Sequence, residues 1–290
     1  MQMLVDPKLN GEPTMVGTDP RTYPLGYSEG EFSRLEQQNV FLADLTEDVL
    51  RRAGVAPGMR VLDIGCGVGD VSQMAAWLVG PSGAVLGIDR SLQAVEVARR
   101  RTAATNQGWV RFATADLDAF ITNERFDAVI GRLILMYLPD PATTLRRLRR
   151  YLRPGGIVAF QEMSMPLARS VPEGPHFRQC TNWIIRTFER AGFELDMGGK
   201  LFATFLAAGL PAPQMVAAGR VEGGAKSRVY DYLAGTLRSL LPMAERVGVV
   251  TADEVDIDTM AERLHQEALE NTACVMPPPL IGAWTRVLPA

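Results

Sequence analysis

The stretch "VLDIGCGVGD", residues 61–70, decides the fold of this 290-residue chain. Its apolar first half has the length of a buried strand, and its second half places glycines at 65, 67 and 69. Beyond Asp70, Val71, Met74, Ala75 and Leu78 recur at helical intervals until Gly80 stops them. A strand, a glycine turn and a helix in this order open a doubly wound α/β sheet, in which ligands bind at the carboxyl ends of the strands. Glycine suits the turn because it adopts positive φ and carries no Cβ to hold a ligand away from the backbone amides. The helix start behind it favours negative charge.

The alternation continues outward. "AVLGID" (84–89) reads as a second strand, Ser91 as the cap of a helix running to about Arg101, and "WVRFATA" (109–115) as a third strand. "FDAVIG" (126–131) reads as a fourth strand, Ala142 to Leu152 as a helix, and "GGIVAFQE" (155–162) as a fifth strand. Such alternation across short turns requires right-handed crossovers, hence a mostly parallel sheet with helices on both faces. Upstream, residues 1–27 carry four prolines and three glycines without periodicity and read as an arm. Ser28 and Glu31 fit a capping box, and Phe32, Leu35, Leu42, Leu45 and Val49 then predict one or two helices ending at Gly54. After Glu162 the rhythm changes. Helices are expected over 176–191, 199–208, 226–247 and 258–270, with strands in "QMVAAGRV" (214–221) and "LIGAWTRVL" (280–288). The chain thus divides into an N-terminal arm with cap helices (1–55), a core (56–165), and a C-terminal half (166–290) that completes the sheet and carries helical lid insertions.

Composition excludes several function classes. With 47% hydrophobic and 22% charged residues the chain can bury a full core, and a net charge of −3 supplies no field for nucleic acid or an anionic membrane. The arginine runs "RRR" (99–101) and "RRLRRYLR" (146–153) fall on helices whose leucines face inward, so they read as solvated faces. Cys66, Cys180 and Cys274 are too far apart for a disulfide framework or a zinc set. The first residues lack the pattern of a signal peptide, and no apolar run reaches the length of a membrane span. These features predict a cytoplasmic protein whose partner is a small molecule, with neither nucleic acid nor membrane; oligomeric state is not legible.

The glycine spacing narrows the ligand. A dinucleotide turn has G-x-G-x-x-G, whereas this one has G-x-G-x-G followed by Asp70. Asp63, beside the turn, would repel a pyrophosphate but could hold an ammonium group directly or through water. Asp89 ends the second strand in position to accept from ribose hydroxyls, and Asp116, just past the third strand, in position to accept from an adenine amino group. Two acids on successive strand ends, with a third in the glycine turn, describe a ligand of amine, ribose and adenine without phosphate.

At this point the chain resembles the class I S-adenosylmethionine-dependent methyltransferases. The residues that carry the resemblance are "VLDIGCGVGD", "GIDRS" (87–91), "ADL" (115–117), "FDAVIGRLILMYLPD" (126–140) and "LRPGG" (152–156). It is strong over about 55–165 and holds elsewhere only in outline. The resemblance implies a Rossmann-like class I methyltransferase fold with a mostly parallel seven-stranded sheet, and S-adenosyl-L-methionine as cofactor. It implies donor contacts at Asp63, Gly65, Cys66, Gly67, Gly69, Asp89, Arg90, Ala115, Asp116 and Leu117, and backbone contacts to the methionine part at Gly131 and Arg132. Many relatives have a histidine where Tyr137 stands, a departure from the pattern.

A sulfonium methyl is already activated, so the protein must chiefly align acceptor and donor and exclude water. A phenol or carbon acid also needs a base. The candidates are Glu162 at the end of the fifth strand, His176 in the segment after it, and Tyr27, with Tyr23, on the arm. No metal set is evident. The expected activity is transfer of a methyl group to O, N or C of a small, largely apolar metabolite, as found in specialised metabolism. A nicotinamide-dependent oxidoreductase and a non-catalytic donor-binding domain are the alternatives.

Overall fold

The computed structural model describes residues 29–105 and 107–288. Tyr23, Tyr27 and Ser28 therefore lie outside the described residues. Among the described residues, one 25-residue helix, α1 (Glu29–Ala53), precedes the core; it buries Phe41, Leu42, Val49 and Leu50 against the sheet and its neighbours. The core alternates β1 (Arg60–Ile64), α2 (Asp70–Val79), β2 (Ala84–Asp89), α3 (Leu92–Ala103), β3 (Val110–Thr114), β4 (Phe126–Arg132), α4 (Pro141–Leu148) and β5 (Leu152–Met163). Local chemistry sets the helix starts. The Ser91 side chain accepts from the Ala94 N–H, and the Asp140 side chain accepts from the Thr143 N–H, with Pro141 at the first helical position.

The helix expected from Ala142 to Leu152 is shorter. α4 ends at Leu148, a 3₁₀ turn covers Arg149–Tyr151, and Leu152 already opens β5. Two causes act together: Pro154 pulls the preceding backbone toward extended conformations, and Leu152 pairs with Phe126 across the sheet.

The second half adds β6 (Arg169–Val171), α5 (Pro175–Arg190), α6 (Met197–Ala207), β7 (Gln214–Ala218), β8 (Glu222–Gly223), α7 (Val229–Arg246), α8 (Ala252–Val255), α9 (Met260–Glu270), β9 (Cys274–Met276) and β10 (Leu280–Arg286). Seven strands form one sheet in the order β3-β2-β1-β4-β5-β10-β7. The five core strands run parallel, and β10 is antiparallel to both β5 and β7. A small antiparallel sheet, β6-β9-β8, sits beside α5, α7 and α9. Strand order reverses between β1 and β4, so the crevice above their carboxyl ends is the place where a ligand site forms. Among the described residues, no helix is long and apolar enough to cross a membrane.

Candidate functional site

A cavity of about 540 Å³ opens above that crevice, within the range of small-molecule sites. Its floor is the turn after β1. Gly65, Gly67 and Gly69 have φ of 65°, 52° and 90°, but they serve different ends. A Cβ on Gly67 would meet nothing within 4 Å, so the space over it belongs to the cavity. A Cβ on Gly69 would lie 2.9 Å from Phe112 and 3.0 Å from Ala98. Gly69 is thus bare to let α3 and β3 pack, and it does not line the cavity. Gly131 likewise backs onto Phe160, 2.7 Å from a built Cβ, away from the wall.

Asp89 stands on the wall beside Gly67. Its Oδ2 accepts the Gly67 N–H and its Oδ1 the Ser91 N–H, both at 2.9 Å. These two bonds fix the carboxylate plane and leave lone pairs on each oxygen for a ligand. Burial pushes its pKa up, and the two amide bonds pull it back. Arg90, Ala115, Asp116 and Leu117 continue the wall. Asp116 is exposed and accepts the Asp118 N–H at 2.7 Å. Cys66 lines the floor, its thiol held well above the ordinary range by burial first and by Asp63 and Asp89 next.

Asp63 lies elsewhere than expected. It is 1% exposed beneath the turn, accepts from the Ser72 hydroxyl at 2.6 Å, and is absent from the wall. Burial raises its pKa to about 7, with the Ser72 bond opposing. A ligand ammonium therefore does not meet this carboxyl directly.

The far end of the cavity comes from segments whose role the sequence did not announce. Arg34, Leu35 and Gln38 project from one face of α1. Arg34 makes a bidentate pair with Glu31 at 2.7 Å for both bonds, the two side chains being 5% and 1% exposed. Leu133, Ile134, Tyr137, Leu138 and Asp140 come from the loop after β4. Leu133 has φ of 54°, uncommon for a branched residue. Burial raises the Tyr137 hydroxyl above its ordinary range. Arg132 projects onto the wall from the end of β4, its Nη1 donating to Thr46 Oγ1 at 3.0 Å and its Nη2 to Asn39 Oδ1 at 3.3 Å.

Of the base candidates, Glu162 and His176 fall among the described residues, and neither is brought to the cavity. Glu162 is fully buried behind the loop after β4, where its Oε1 accepts the N–H groups of Ile134 (3.0 Å) and Leu135 (2.7 Å). Its Oε2 has no hydrogen-bond partner among the described residues, and burial pushes its pKa up to about 8 despite the amide bonds. His176 sits at the start of α5, its backbone N–H on Glu267, and neither it nor any other described residue beyond Thr144 lines the cavity. Among the described residues, α1 and the loop after β4 enclose the site in place of the expected lid, while the second-half helices pack behind them, with Tyr232 of α7 stacked on Phe41 of α1 at 4.7 Å. No cluster of metal-ligating side chains occurs among the described residues.

Comparison with known proteins is consistent with this geometry. A family model described as a methyltransferase domain matches residues 56–195. A demethylmenaquinone methyltransferase of Staphylococcus saprophyticus subsp. saprophyticus is 31% identical over 176 residues, covering 60% of this chain and 70% of that one. Its counterpart in Staphylococcus aureus is 32% identical over 156 residues, with the match spanning 59% of its length. Two solved structures share the fold at lower identity. A protein of Bacillus halodurans C-125 assigned as a methyltransferase has a TM-score of 0.55 at 17% identity, over 83% of this chain and 97% of that one. Coclaurine N-methyltransferase, bound to N-methylheliamine and S-adenosylhomocysteine, has 0.53 at 15%, over 84% and 72%. With the glycine turn, the strand-end acids and the seven-stranded sheet, these matches make the chain a member of the class I S-adenosylmethionine-dependent methyltransferases.

Proposed function

We propose that this methyltransferase acts on a small, largely apolar acceptor by direct displacement at the donor methyl. The observation that carries the reading is the make-up of the cavity. Asp89, Asp116 and Asp118 lie at the end toward β2 and β3, while Leu35, Leu133, Ile134, Tyr137 and Leu138 give the other end a largely apolar wall beside Arg34, Gln38 and Asp140. Asp89 would receive the ribose hydroxyls, Asp116 the adenine amino group, and Ala115 and Leu117 the faces of the base. Gly65, Cys66 and Gly67 would let the methionine part lie against the backbone, with Arg90 at the rim. Asp63 and Gly69 support the turn from behind, through Ser72 and through packing.

S-adenosylmethionine supplies a methyl group activated by its sulfonium. The chain's own contribution is then to hold an acceptor in line and keep water out. Among the described residues the acceptor end offers hydrogen-bonding groups, Arg34, Gln38 and Tyr137, and no histidine. The acceptors we infer are therefore those that arrive nucleophilic or lose a proton readily, such as hydroxylated aromatic rings; the staphylococcal relatives are named for a quinone, demethylmenaquinone, which joins this class only in its reduced, hydroquinone form.

The test is an acceptor panel of hydroquinones, naphthols, small amines and polar metabolites, read by mass spectrometry for the gain of one methyl group. Turnover confined to ring acceptors of low polarity is expected. Turnover confined to charged or strongly polar acceptors would overturn the reading.

A further inference from the structure

Gln38 reaches the acceptor end from the same face of α1 as Arg34, one turn further along the helix. It is 9% exposed, and its amide is hydrogen-bonded to the hydroxyl of Tyr232 on α7. Burial raises the pKa of that hydroxyl, while the Arg34 charge and the Gln38 bond oppose the rise. A hydrogen bond steadies a phenolate only when it is donated to the oxygen, so Gln38 gives an amide hydrogen. The Tyr232 O–H in turn points at the Met163 sulfur, 4.0 Å away, and its ring is stacked on Phe41. This chain of donors, from Gln38 to Tyr232 to Met163, settles which way the amide is turned. Its nitrogen is held from behind, which leaves its carbonyl oxygen for the cavity that Gln38 lines.

The other polar groups at this end are mostly donors. Arg34 and Arg132 have only N–H groups to offer, and the Asp140 carboxylate accepts the Thr143 N–H at 2.9 Å. An amide oxygen in a largely apolar wall is costly to leave without a donor once a ligand has displaced water. A ring hydroxyl meets both demands, donating to Gln38 and accepting from its neighbours, whereas a ring carbonyl or an ether only accepts. We propose that Gln38 is the specificity-determining residue of the acceptor site, reading a hydroxyl on the acceptor ring through its carbonyl oxygen, and that Tyr232 positions it to do so. The proposal rests on the acceptor occupying this end, as set out above. A neutral amide takes no proton in the transfer, so Gln38 orients the ring and does not activate it. For a quinone-type ring the consequence is that the reduced, hydroxylated form is held and the oxidised form is refused.

The test is calorimetric titration of the full chain, saturated with S-adenosylhomocysteine, with 2-naphthol and 2-fluoronaphthalene. The two rings have nearly the same outline, and only the first donates. The native chain should prefer 2-naphthol by roughly fivefold to thirtyfold. Gln38→Leu should bring the two rings within about twofold of each other and leave S-adenosylhomocysteine within about twofold of its native affinity. Gln38→Glu, which keeps an oxygen at the same reach, should restore the preference. Tyr232→Phe frees the amide to turn without touching the cavity wall, and should cut the preference by about threefold or more; it decides the matter should Gln38→Leu fail to fold. A preference that survives Gln38→Leu, or Tyr232→Phe where that variant decides, would overturn the proposal. So would S-adenosylhomocysteine weakened as much as 2-naphthol, which would hand Gln38 to the donor. Native binding keeps the two levels apart: equal affinity for both rings removes the Gln38 assignment and leaves the apolar acceptor standing, while binding of neither removes both.

Discussion

The two ends of the cavity are built on different principles. At the end proposed for the nucleoside the chain uses backbone: positive-φ glycines, strand-end carboxylates held by amide bonds, and a helix start, all within residues 63–117. At the other end it uses side chains from α1 and the loop after β4, about 100 residues apart in sequence, with Glu162 tying that loop down from behind. The first kind of site can be moved little without unfolding the turn. The second can be rebuilt by changing side chains, which fits a family in which one donor serves many acceptors.

The largest expected effect concerns the brace behind the acceptor end. Glu162 has a folded pKa of about 8 against an ordinary 4.5. Below about pH 4.5 the carboxyl is neutral in both states; between 4.5 and 8 the unfolded chain ionises first, so the stability that the neutral form supplies is lost as pH rises. Glu162→Gln keeps an acceptor for the Ile134 and Leu135 amides and removes this titration. Its stability relative to the native protein should rise by on the order of 2–4 kcal/mol between pH 5 and pH 8, read from urea unfolding at both values. A constant difference would show that the carboxyl is ionised in place and that the loop is held by charge.

At the nucleoside end the glycines sharpen the contrast. Gly69→Ala combines a left-handed backbone with overlap on Phe112 and Ala98 and should cost about 3 kcal/mol of stability. Gly67→Ala, with the same strain and open space around it, should cost about 1 kcal/mol and act mainly by weakening the donor. If both variants lost stability equally, the distinction between a packing glycine and a ligand glycine would collapse.

Much of the first end was legible and little of the second, for physical reasons. Positive φ beside a buried strand leaves its mark on composition, so Gly65, Gly67 and Gly69 could be read, and a carboxylate at each strand end follows from the topology. Nothing in Arg34, Leu35 or Gln38 shows that their helix face meets a cavity rather than solvent, since the partner loop lies about 100 residues away. Asp63 and Glu162 were placed by their strands but misassigned in depth. Both sit at the ends of strands covered by further structure, and a residue count along a strand does not say what lies above it. The one available signal was the strained Leu133, and φ is not written in a leucine.

Asp89→Ala tests the nucleoside end directly. Loss of charge-assisted bonds to the ribose should weaken the donor by about 2 kcal/mol, roughly thirtyfold. Because the Gly67 and Ser91 amides also lose their acceptor, melting should fall as well. Asp89→Asn, which retains a carbonyl oxygen, should recover stability more than affinity. Unchanged donor binding by calorimetry in Asp89→Ala would move the nucleoside off this strand end altogether.

The smallest effect is expected where the sequence placed a candidate base and the structure placed none. His176 lies outside both ends, and what it gives the fold comes from its backbone: its N–H and that of Phe177 donate to the two oxygens of Glu267, at 2.7 and 3.0 Å, closing the start of α5. That bond survives any side-chain change, and the ring is only partly covered. His176→Ala should therefore leave methyl transfer within about twofold and stability within about 0.5 kcal/mol. Glu267→Ala orphans two amides at a helix start and should cost about 1–2 kcal/mol. A tenfold fall in kcat for His176→Ala, with melting unchanged, would mean that α5 swings onto the cavity during turnover and that the enclosing wall is larger than α1 and the loop after β4.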